Sequence, residues 1–513
     1  MNSDMKGWIA MNWQALKSGS DVRGTAVGDG CVLTQDVVTA LGMAFVHFLT
    51  EVKGKKASDI SVAIGRDSRI TGPAIMNAVS DGIRKAGGNS IIFNLCTTPA
   101  MYMSTITEGF QPDGAIMITA SHHPWNKNGL KFFTCKGGLE GKDVAAIIEY
   151  ASSLHPEGMP LLGTLTEKAF LPVYTDQLKK RIRDGLGTND EMPLTGLHIV
   201  VDAGNGAGGF YAQMLKELGA DISGSQFLEP DGRFPNHIPN PENPEAMNAL
   251  RNAVLQADAD LGVIFDADCD RAAIADRGGK EINRNRLIAL ISAILLESQP
   301  HSVIVTDSVT SSGLKEFIEN HGGEHYRYKR GYRNVIDEAI RLNADGRLCP
   351  LAIETSGHAA LKENHFLDDG MYLVTVLIVK AKQMKEAGKV LSSLIQDLKE
   401  PVESAEIRMS ITASDFREKG QDAISLVTSH ADKNKDWHIA PDNREGIRIL
   451  VDLDGIREAA WFLLRLSVHD PVLPLNAESN VPGGVKIMMK ELYTLLESMD
   501  GIDTSSLKSA AEE

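Results

Sequence analysis

The sequence predicts an α/β protein, with three similar mixed α/β domains followed by a smaller C-terminal α+β domain. Three observations carry that expectation. A short β-branched run, a polar or Gly-rich loop and a helix-period segment recur in that order three times. After about residue 399 the alternation gives way to closely spaced strand-like runs. The chain has 513 residues, more than one core holds, since domains run to roughly 100–150 residues.

The first repeat opens at Ser61-Val-Ala-Ile-Gly-Arg-Asp67, continues through a helical stretch near 72–86 and returns to strands at 90–95 and 114–118. The second opens at His198-Ile-Val-Val-Asp-Ala-Gly-Asn-Gly206, and the third at Ser302-Val-Ile-Val-Thr-Asp-Ser308. Strands alternating with helices of this length favour mixed or parallel sheets covered on both faces, with functional loops at the strand ends. The C-terminal region instead shows Pro401-Val-Glu-Ser, a strand-like Ile407-Arg-Met-Ser-Ile411, and the pair Gly446-Ile-Arg-Ile-Leu-Val451 and Trp461-Phe-Leu-Leu-Arg-Leu466. The expected domains are residues 1–185, 186–300, 301–399 and 400–513.

Composition narrows the function classes. Apolar residues make up 43% and charged residues 23%, which is ordinary for a fully folded globular protein. The formal net charge is −16 and no Lys/Arg run is long enough to form a nucleic-acid or membrane-surface patch. Nucleic acid and membrane are therefore not expected partners. The five cysteines (Cys31, Cys96, Cys135, Cys269 and Cys349) are widely spaced and free of any CxxC pattern, as expected of reduced thiols. Without a leader-like h-region or an 18-residue apolar run, a cytoplasmic location is expected.

Three segments carry chemistry. Ile118-Thr-Ala-Ser-His-His-Pro-Trp-Asn-Lys-Asn-Gly-Leu-Lys131 follows an apolar strand and packs small, hydroxyl and imidazole residues before an expected Asn128-Gly129 turn. A strand end that delivers Ser121 gives a nucleophile able to carry a phosphoryl group, with Lys131 as a nearby cation or acid/base; a polar hairpin loop is the competing description. Phe265-Asp-Ala-Asp-Cys-Asp-Arg271 places three carboxylates, Asp266, Asp268 and Asp270, at alternate positions, which suits Mg²⁺. An EF-hand is excluded, because its Gly and Glu positions hold Arg271 and Arg277. The bland competitor is a solvated acidic turn, although acidic clusters after a buried strand are unusual without a neutralising cation. Ile353-Glu-Thr-Ser-Gly-His358 offers Glu354, Ser356 and His358 at a third strand end, where they suit vicinal sugar hydroxyls or, alternatively, Thr355 or Ser356 caps the next helix.

Two basic features are candidates for phosphate. Lys329, Arg330 and Arg333 form a short cluster, and Arg465-Leu-Ser467 follows a buried-looking run. Surface solubility is the alternative for each. The segments Ser20-Asp-Val-Arg-Gly24 and Gly65-Arg-Asp-Ser-Arg69 set arginines beside turn residues and say little alone.

In this order the segments resemble the α-D-phosphohexomutase superfamily, from about Ser18 to about Pro474. The shared parts are Asp21-Val-Arg-Gly24, Gly65-Arg-Asp-Ser-Arg69, Thr119-Ala-Ser-His-His-Pro124, Asp266-Ala-Asp-Cys-Asp-Arg271, Glu354-Thr-Ser-Gly-His358 and the C-terminal Arg465-x-Ser467. The resemblance implies four domains around a central cleft, each giving one loop. It implies a phosphoserine at Ser121, with Mg²⁺ held by Asp266, Asp268, Asp270 and the phosphoserine oxygen. Arg23, Lys131 and Arg271 match catalytic cations, His358 a proton carrier, and Glu354 and Ser356 the sugar-binding residues. Lys329, Arg465 and Ser467 match further substrate-binding positions.

The implied activity is an intramolecular phosphotransferase, an isomerase of carbohydrate metabolism. It would interconvert hexose 1-phosphate and hexose 6-phosphate (mannose and/or glucose) through the phosphoserine and a hexose 1,6-bisphosphate, which also serves as activator. A monomer or homodimer is expected. Glu354-Thr-Ser-Gly-His358, followed by the run ending Asp368-Asp-Gly370, resembles the subgroup labelled phosphomannomutase/phosphoglucomutase. The alternatives are a phosphoglucosamine mutase, a catalytically silent sugar-phosphate-binding protein, and a haloacid-dehalogenase-type enzyme using Asp266 as phosphoryl acceptor.

Three positions depart from the superfamily pattern: His123 stands where Asn is usual, Ala267 where Gly is usual, and Val468 and His469 follow Ser467 where Asn and Thr are frequent. The first two changes remove no charged or nucleophilic atom. Val468 cannot donate a side-chain hydrogen bond to phosphate, whereas His469 can.

Overall fold

The buried β-branched runs form the strands on which both candidate sites are mounted. In the computed structural model, residues 11–467 and 470–512 are described, so Val468 and His469 lie outside the described residues. The chain divides into two units. One holds the described residues up to Asn283 together with Ser356–Ala359 and Leu367–Ser392. The other holds Arg284–Thr355, Ala360–Phe366 and the described part of Ser393–Glu513.

In the first unit, Ser61–Arg66 lies between Asn89–Leu95 and Gly114–Ile118, all parallel, as helical crossovers require. Lys127–Thr134 then returns antiparallel beside Gly114–Ile118 and pairs on its other side with Asp21–Thr25, within an eight-stranded mixed sheet. The helix Gln35–Lys53 is started by Thr34, whose hydroxyl accepts from the Val37 amide, and is stopped at left-handed Gly54. Its buried face sets Val38, Leu41 and Phe45 among Ile64, Ile116 and Phe132. The Phe45 and Phe132 rings lie 4.9 Å apart. Each such fully buried side chain contributes about 1.5–3 kcal/mol.

The expected Asn128-Gly129 turn is not formed. Both residues lie inside the strand Lys127–Thr134. The glycine serves close approach instead, because a Cβ at 129 would fall 2.3 Å from the Val22 carbonyl oxygen and 2.8 Å from that of Thr119. The Asn128 amide bonds Thr71 Oγ1 at 2.9 Å rather than closing a turn.

A second sheet in this unit sets Leu261–Phe265 parallel to Ile199–Asp202 and antiparallel to Ala272–Asp276. The helix Pro244–Ala257, capped by Asn243, packs Leu250 and Val254 against Val200 and Ile264. The helix Gly370–Glu386 also belongs here. Its cap is Asp369, which accepts from the Tyr372 amide at 2.8 Å and from Tyr174 Oη at 2.7 and 2.8 Å. Neither Thr355 nor Ser356 caps it.

In the second unit, Val303–Thr306 lies parallel to Glu324–Arg327 and to Leu351–Ile353. The C-terminal sheet has six strands, all antiparallel to their neighbours, with Ile447–Leu453, Ile456–Leu464, Val472–Ser479 and Glu403–Ile411 at its centre. Helices Phe416–Ala431 and Gly484–Leu496 cover it through Val427, Met489 and Leu492, which pack on Ile449, Phe462 and Leu475. Among the described residues, no helix is long and apolar enough to cross a membrane.

Candidate active site

Ser121 sits three residues past the end of Gly114–Ile118, on the loop that leads antiparallel into Lys127–Thr134. Its backbone has φ 51°, a left-handed conformation that costs a non-glycine residue energy and needs support from its surroundings. The support comes from Arg69, which has no exposed surface. Its guanidinium donates to the carbonyl oxygens of Ser121 (2.5 Å), His123 (2.6 Å), Pro124 (2.7 Å) and Lys127 (2.8 Å). Asp67 pairs with Arg69 at 3.2 Å and accepts from Thr119 Oγ1 at 2.7 Å, while that hydroxyl oxygen takes the Ser121 amide at 2.8 Å. One buried ion pair thus shapes the whole loop.

The acidic segment is the turn between Leu261–Phe265 and Ala272–Asp276, with left-handed Cys269 inside it, and its three carboxylates are all buried. One oxygen from each of Asp266, Asp268 and Asp270 lies within 4.8 Å of the others. Ser121 Oγ donates to Asp266 Oδ2 at 2.8 Å and accepts from Arg271 Nη2 at 2.7 Å. Arg271 Nε also bonds Asp266 Oδ2, at 3.1 Å. Asp268 Oδ2 accepts from Thr98 Oγ1 at 2.5 Å and faces Lys131 Nζ at 3.1 Å. Lys131 Nζ bonds Asp270 Oδ2 as well.

The other oxygens differ. Asp268 Oδ1 and Asp270 Oδ1 are buried and have no hydrogen-bond partner. A buried carboxylate oxygen without a hydrogen bond is costly, and the three clustered carboxylates, with Ser121 Oγ bonded to Asp266, form a hard-oxygen donor set that a divalent cation satisfies. The residues present therefore fit a metal ion.

The electrostatics follow from this crowding. Burial and the neighbouring Asp270 and Asp268 push the Asp266 carboxyl well above its ordinary range. Burial also opposes the Asp270 charge, but Lys131, His358 and Arg271 hold that carboxyl below the usual value. Burial works to lower Lys131, yet Asp268, Asp270 and Asp21 raise it well above an ordinary lysine. Arg23 pairs with Asp21 at 2.9 Å, one strand over from Gly129.

Two imidazoles border the cluster. His122 Nδ1 lies 3.3 Å from Ser121 Oγ and bonds Arg271 Nη2. Burial, then Arg271, brings His122 down to about 2, so the ring is neutral and accepts from Arg271. His123 stacks on it with ring centroids 4.9 Å apart. His358 bonds Ser356 Oγ through Nδ1 at 2.9 Å and turns Nε2 toward Asp270 Oδ1 at 3.7 Å. Burial brings it down to about 3.

The second unit gathers the remaining candidates. Glu354 directly follows Leu351–Ile353, and its Oε1 accepts from the Gly331 amide at 2.6 Å. Thr355 Oγ1 donates to buried Asp307 at 2.8 Å. Arg465 directly follows Ile456–Leu464 and is buried, its Nη1 3.9 Å from Glu445 Oε1 and its Nε without a hydrogen-bond partner. Ser467 Oγ accepts from the Asp470 amide at 3.3 Å. Lys329 is exposed. Arg333 makes a 2.9 Å pair with Asp337 along its own helix, while its Nε is buried without a hydrogen-bond partner.

Ser121, Lys131, Arg23, Arg271, Ser356, His358 and the three aspartates thus fall in the first unit, and Glu354, Lys329, Arg465 and Ser467 in the second. Sequence reasoning gave no role to Thr98, His122 or Glu445, and left Arg69 without one. For Arg69 and Thr98 the usable signal was faint: a charge pair two residues apart after a strand, and a Thr-Thr-Pro helix start.

Comparison with known proteins gives the family of the chain. Residues 15–154, 172–279 and 283–402 match, in order, the phosphoglucomutase/phosphomannomutase alpha/beta/alpha domains I, II and III. A phosphoglucomutase of Neisseria gonorrhoeae is 28% identical over 93% of this chain and 96% of its own. A phosphomannomutase/phosphoglucomutase of Pseudomonas putida is 30% identical over 82% of this chain and 83% of its own. The crystal structure of a phosphoglucomutase/phosphomannomutase family protein from Burkholderia thailandensis superposes with a TM-score of 0.76 at 25% identity, covering 95% of this chain and 98% of that one. With three consecutive domains matched and relatives aligned along most of its length, the chain belongs to the phosphoglucomutase/phosphomannomutase family of α-D-phosphohexomutases.

Proposed function

We propose that the chain interconverts hexose 1-phosphates and hexose 6-phosphates of glucose and mannose, with Ser121 as phosphoryl carrier and a hexose 1,6-bisphosphate as intermediate and activator. The observation that carries this reading is Ser121 Oγ, held between Asp266 and Arg271 at a cluster of three buried carboxylates. Asp266, Asp268, Asp270 and a Ser121 phosphate oxygen would hold Mg²⁺. Bound there, Mg²⁺ supplies charge stabilisation to the transferring phosphoryl oxygens.

The chain's own residues do the rest. The Ser121 Oγ–P bond breaks as a bond from phosphorus to the substrate hydroxyl oxygen forms, and His358 is the candidate carrier of the hydroxyl proton. Arg271, Lys131 and Arg23 offset the charge that spreads over the phosphoryl group. Glu354 and Ser356 hold the sugar hydroxyls. Arg465, Ser467 and Lys329 hold the phosphate that is not being transferred, which serves orientation rather than bond breaking. The same proposal includes domain divisions after residues 185, 300 and 399, a cytoplasmic location, a monomer or homodimer, and no nucleic-acid partner.

A coupled assay of glucose 1-phosphate, mannose 1-phosphate and glucosamine 1-phosphate with a bisphosphate activator tests the reading. Conversion of the first two to their 6-phosphates is expected. Release of inorganic phosphate without any 6-phosphate would overturn it.

A further inference from the structure

The basic loop Lys329-Arg330-Gly331 and the C-terminal Arg465 are far apart in sequence, yet one side chain reaches both. Glu445 Oε2 accepts from the backbone amide of Arg330 at 3.1 Å and from Ser308 Oγ at 2.6 Å, while its Oε1 faces Arg465 Nη1 at 3.9 Å. The neighbouring Gly446 makes this approach possible. At φ +53°, a Cβ there would lie 2.2 Å from the Leu464 carbonyl oxygen and 2.9 Å from Arg465 Cβ. A second carboxylate, Glu354, takes the next amide of the loop, that of Gly331. The loop backbone therefore hangs on two acids.

The charges point the same way. Arg465 is buried, and a 3.9 Å carboxylate is a loose partner for a desolvated guanidinium. Burial works to lower Arg465, Glu445 raises it, and Arg330 lowers it again, so the two arginines feel each other's charge. Asp307 and Glu406 raise it too, but among the described residues its one ion pair is Glu445 at 3.9 Å, and a phosphate oxygen would give this guanidinium a direct charge-assisted hydrogen bond.

We propose that Glu445 is a positioning residue for the distal phosphate: by bonding Ser308 and the Arg330 amide and facing Arg465, it brings cations of two segments onto one phosphate group of the hexose phosphate. This rests on the assignment of Arg465 to the non-transferred phosphate. Glu445 itself does not touch the substrate.

The test compares Glu445→Ala, Glu445→Gln and Arg465→Ala in the full chain, reading KM and kcat for hexose 1-phosphate and hexose 6-phosphate, with calorimetric titration of glucose 6-phosphate. Glu445→Ala is expected to raise KM in both directions on the order of tenfold. Its kcat should stay within about threefold, because the contact is uniform through the reaction. Glu445→Gln should recover most of the loss, since its amide oxygen accepts the same two bonds. Equal KM defects in Gln and Ala would overturn positioning by these bonds. An unchanged KM in Glu445→Ala, with a raised KM in Arg465→Ala, would overturn the role of Glu445 alone. Unchanged KM in both would remove the distal-phosphate assignment itself. If Glu445→Ala does not fold, Ser308→Ala removes only one donor to Glu445 and should raise KM in both directions by a smaller factor; no change there would equally overturn the proposal.

Discussion

The two clusters hold their charges in opposite ways. Around Ser121, nearly every charged atom already has a partner: Lys131 bridges Asp268 and Asp270, Arg271 bridges Asp266 and Ser121, and Arg69 spends its guanidinium on four carbonyl oxygens. What is missing there is small, two carboxylate oxygens that suit one cation. Around Arg465 the balance is reversed, with a buried guanidinium whose ion partner stands 3.9 Å away. The first cluster is organised before substrate arrives, whereas in the proposed reading the second is completed by an anion. Chemistry that must align a nucleophile benefits from the former, and binding that must release its ligand after each turnover benefits from the latter.

The largest effect that could break this comparison is at Ser121. Ser121→Ala should abolish mutase turnover while leaving thermal unfolding unchanged, because one small polar atom is lost from a loop that Arg69 still holds. Near-normal turnover in a coupled assay would remove the nucleophile from the account. Next, Asp268→Asn should weaken metal binding and turnover by more than the roughly 10–100-fold that loss of an outer-shell partner brings, since a charged ligand becomes neutral. Activity that persists in excess EDTA would show that the three carboxylates serve no cation.

Arg69→Ala separates scaffold from chemistry. Both members of the Asp67–Arg69 pair are fully buried, so removing one should cost about 3–5 kcal/mol of stability, read from denaturant unfolding. If stability is unchanged, the Ser121 loop is not held as described. In the second cluster, Arg465→Ala should lower kcat/KM on the order of ten- to a hundredfold in both reaction directions, with Arg465→Lys recovering part. A loss in one direction alone would mean that the site serves only one substrate orientation. The smallest effect is expected at Thr98, whose hydroxyl holds Asp268 Oδ2 while Oδ1 is buried without a hydrogen bond. Thr98→Val should weaken Mg²⁺ binding, measured by calorimetry, by about tenfold, with Thr98→Ser close to wild type.

What was legible in the sequence was local. Ser121 and the three aspartates could be read because strand, turn and side chains sit within a few residues of one another, and the alternating α/β runs name their own strands. The helper residues could not. Thr98 meets Asp268 across 170 positions, Ser308 meets Glu445 across 137, and Arg69 reaches the Ser121 carbonyl across 52. No local periodicity encodes such contacts. Asn128-Gly129 misled for the same reason, since the dipeptide that signals a turn is here required by the closeness of the Val22 and Thr119 carbonyls, both distant in physical cause from the local pattern.

The central claim is that a serine, not an aspartate, carries the phosphoryl group. Its most direct test is to incubate wild-type protein with glucose 1,6-bisphosphate and Mg²⁺, quench in acid, and locate the phosphate by peptide mass spectrometry. The account predicts one acid-stable phosphoryl group on Ser121 that is discharged when glucose 6-phosphate is added before the quench. An acid-labile phosphate on Asp266, or an acid-stable one elsewhere in the chain that turns over while Ser121 stays unmodified, would contradict it.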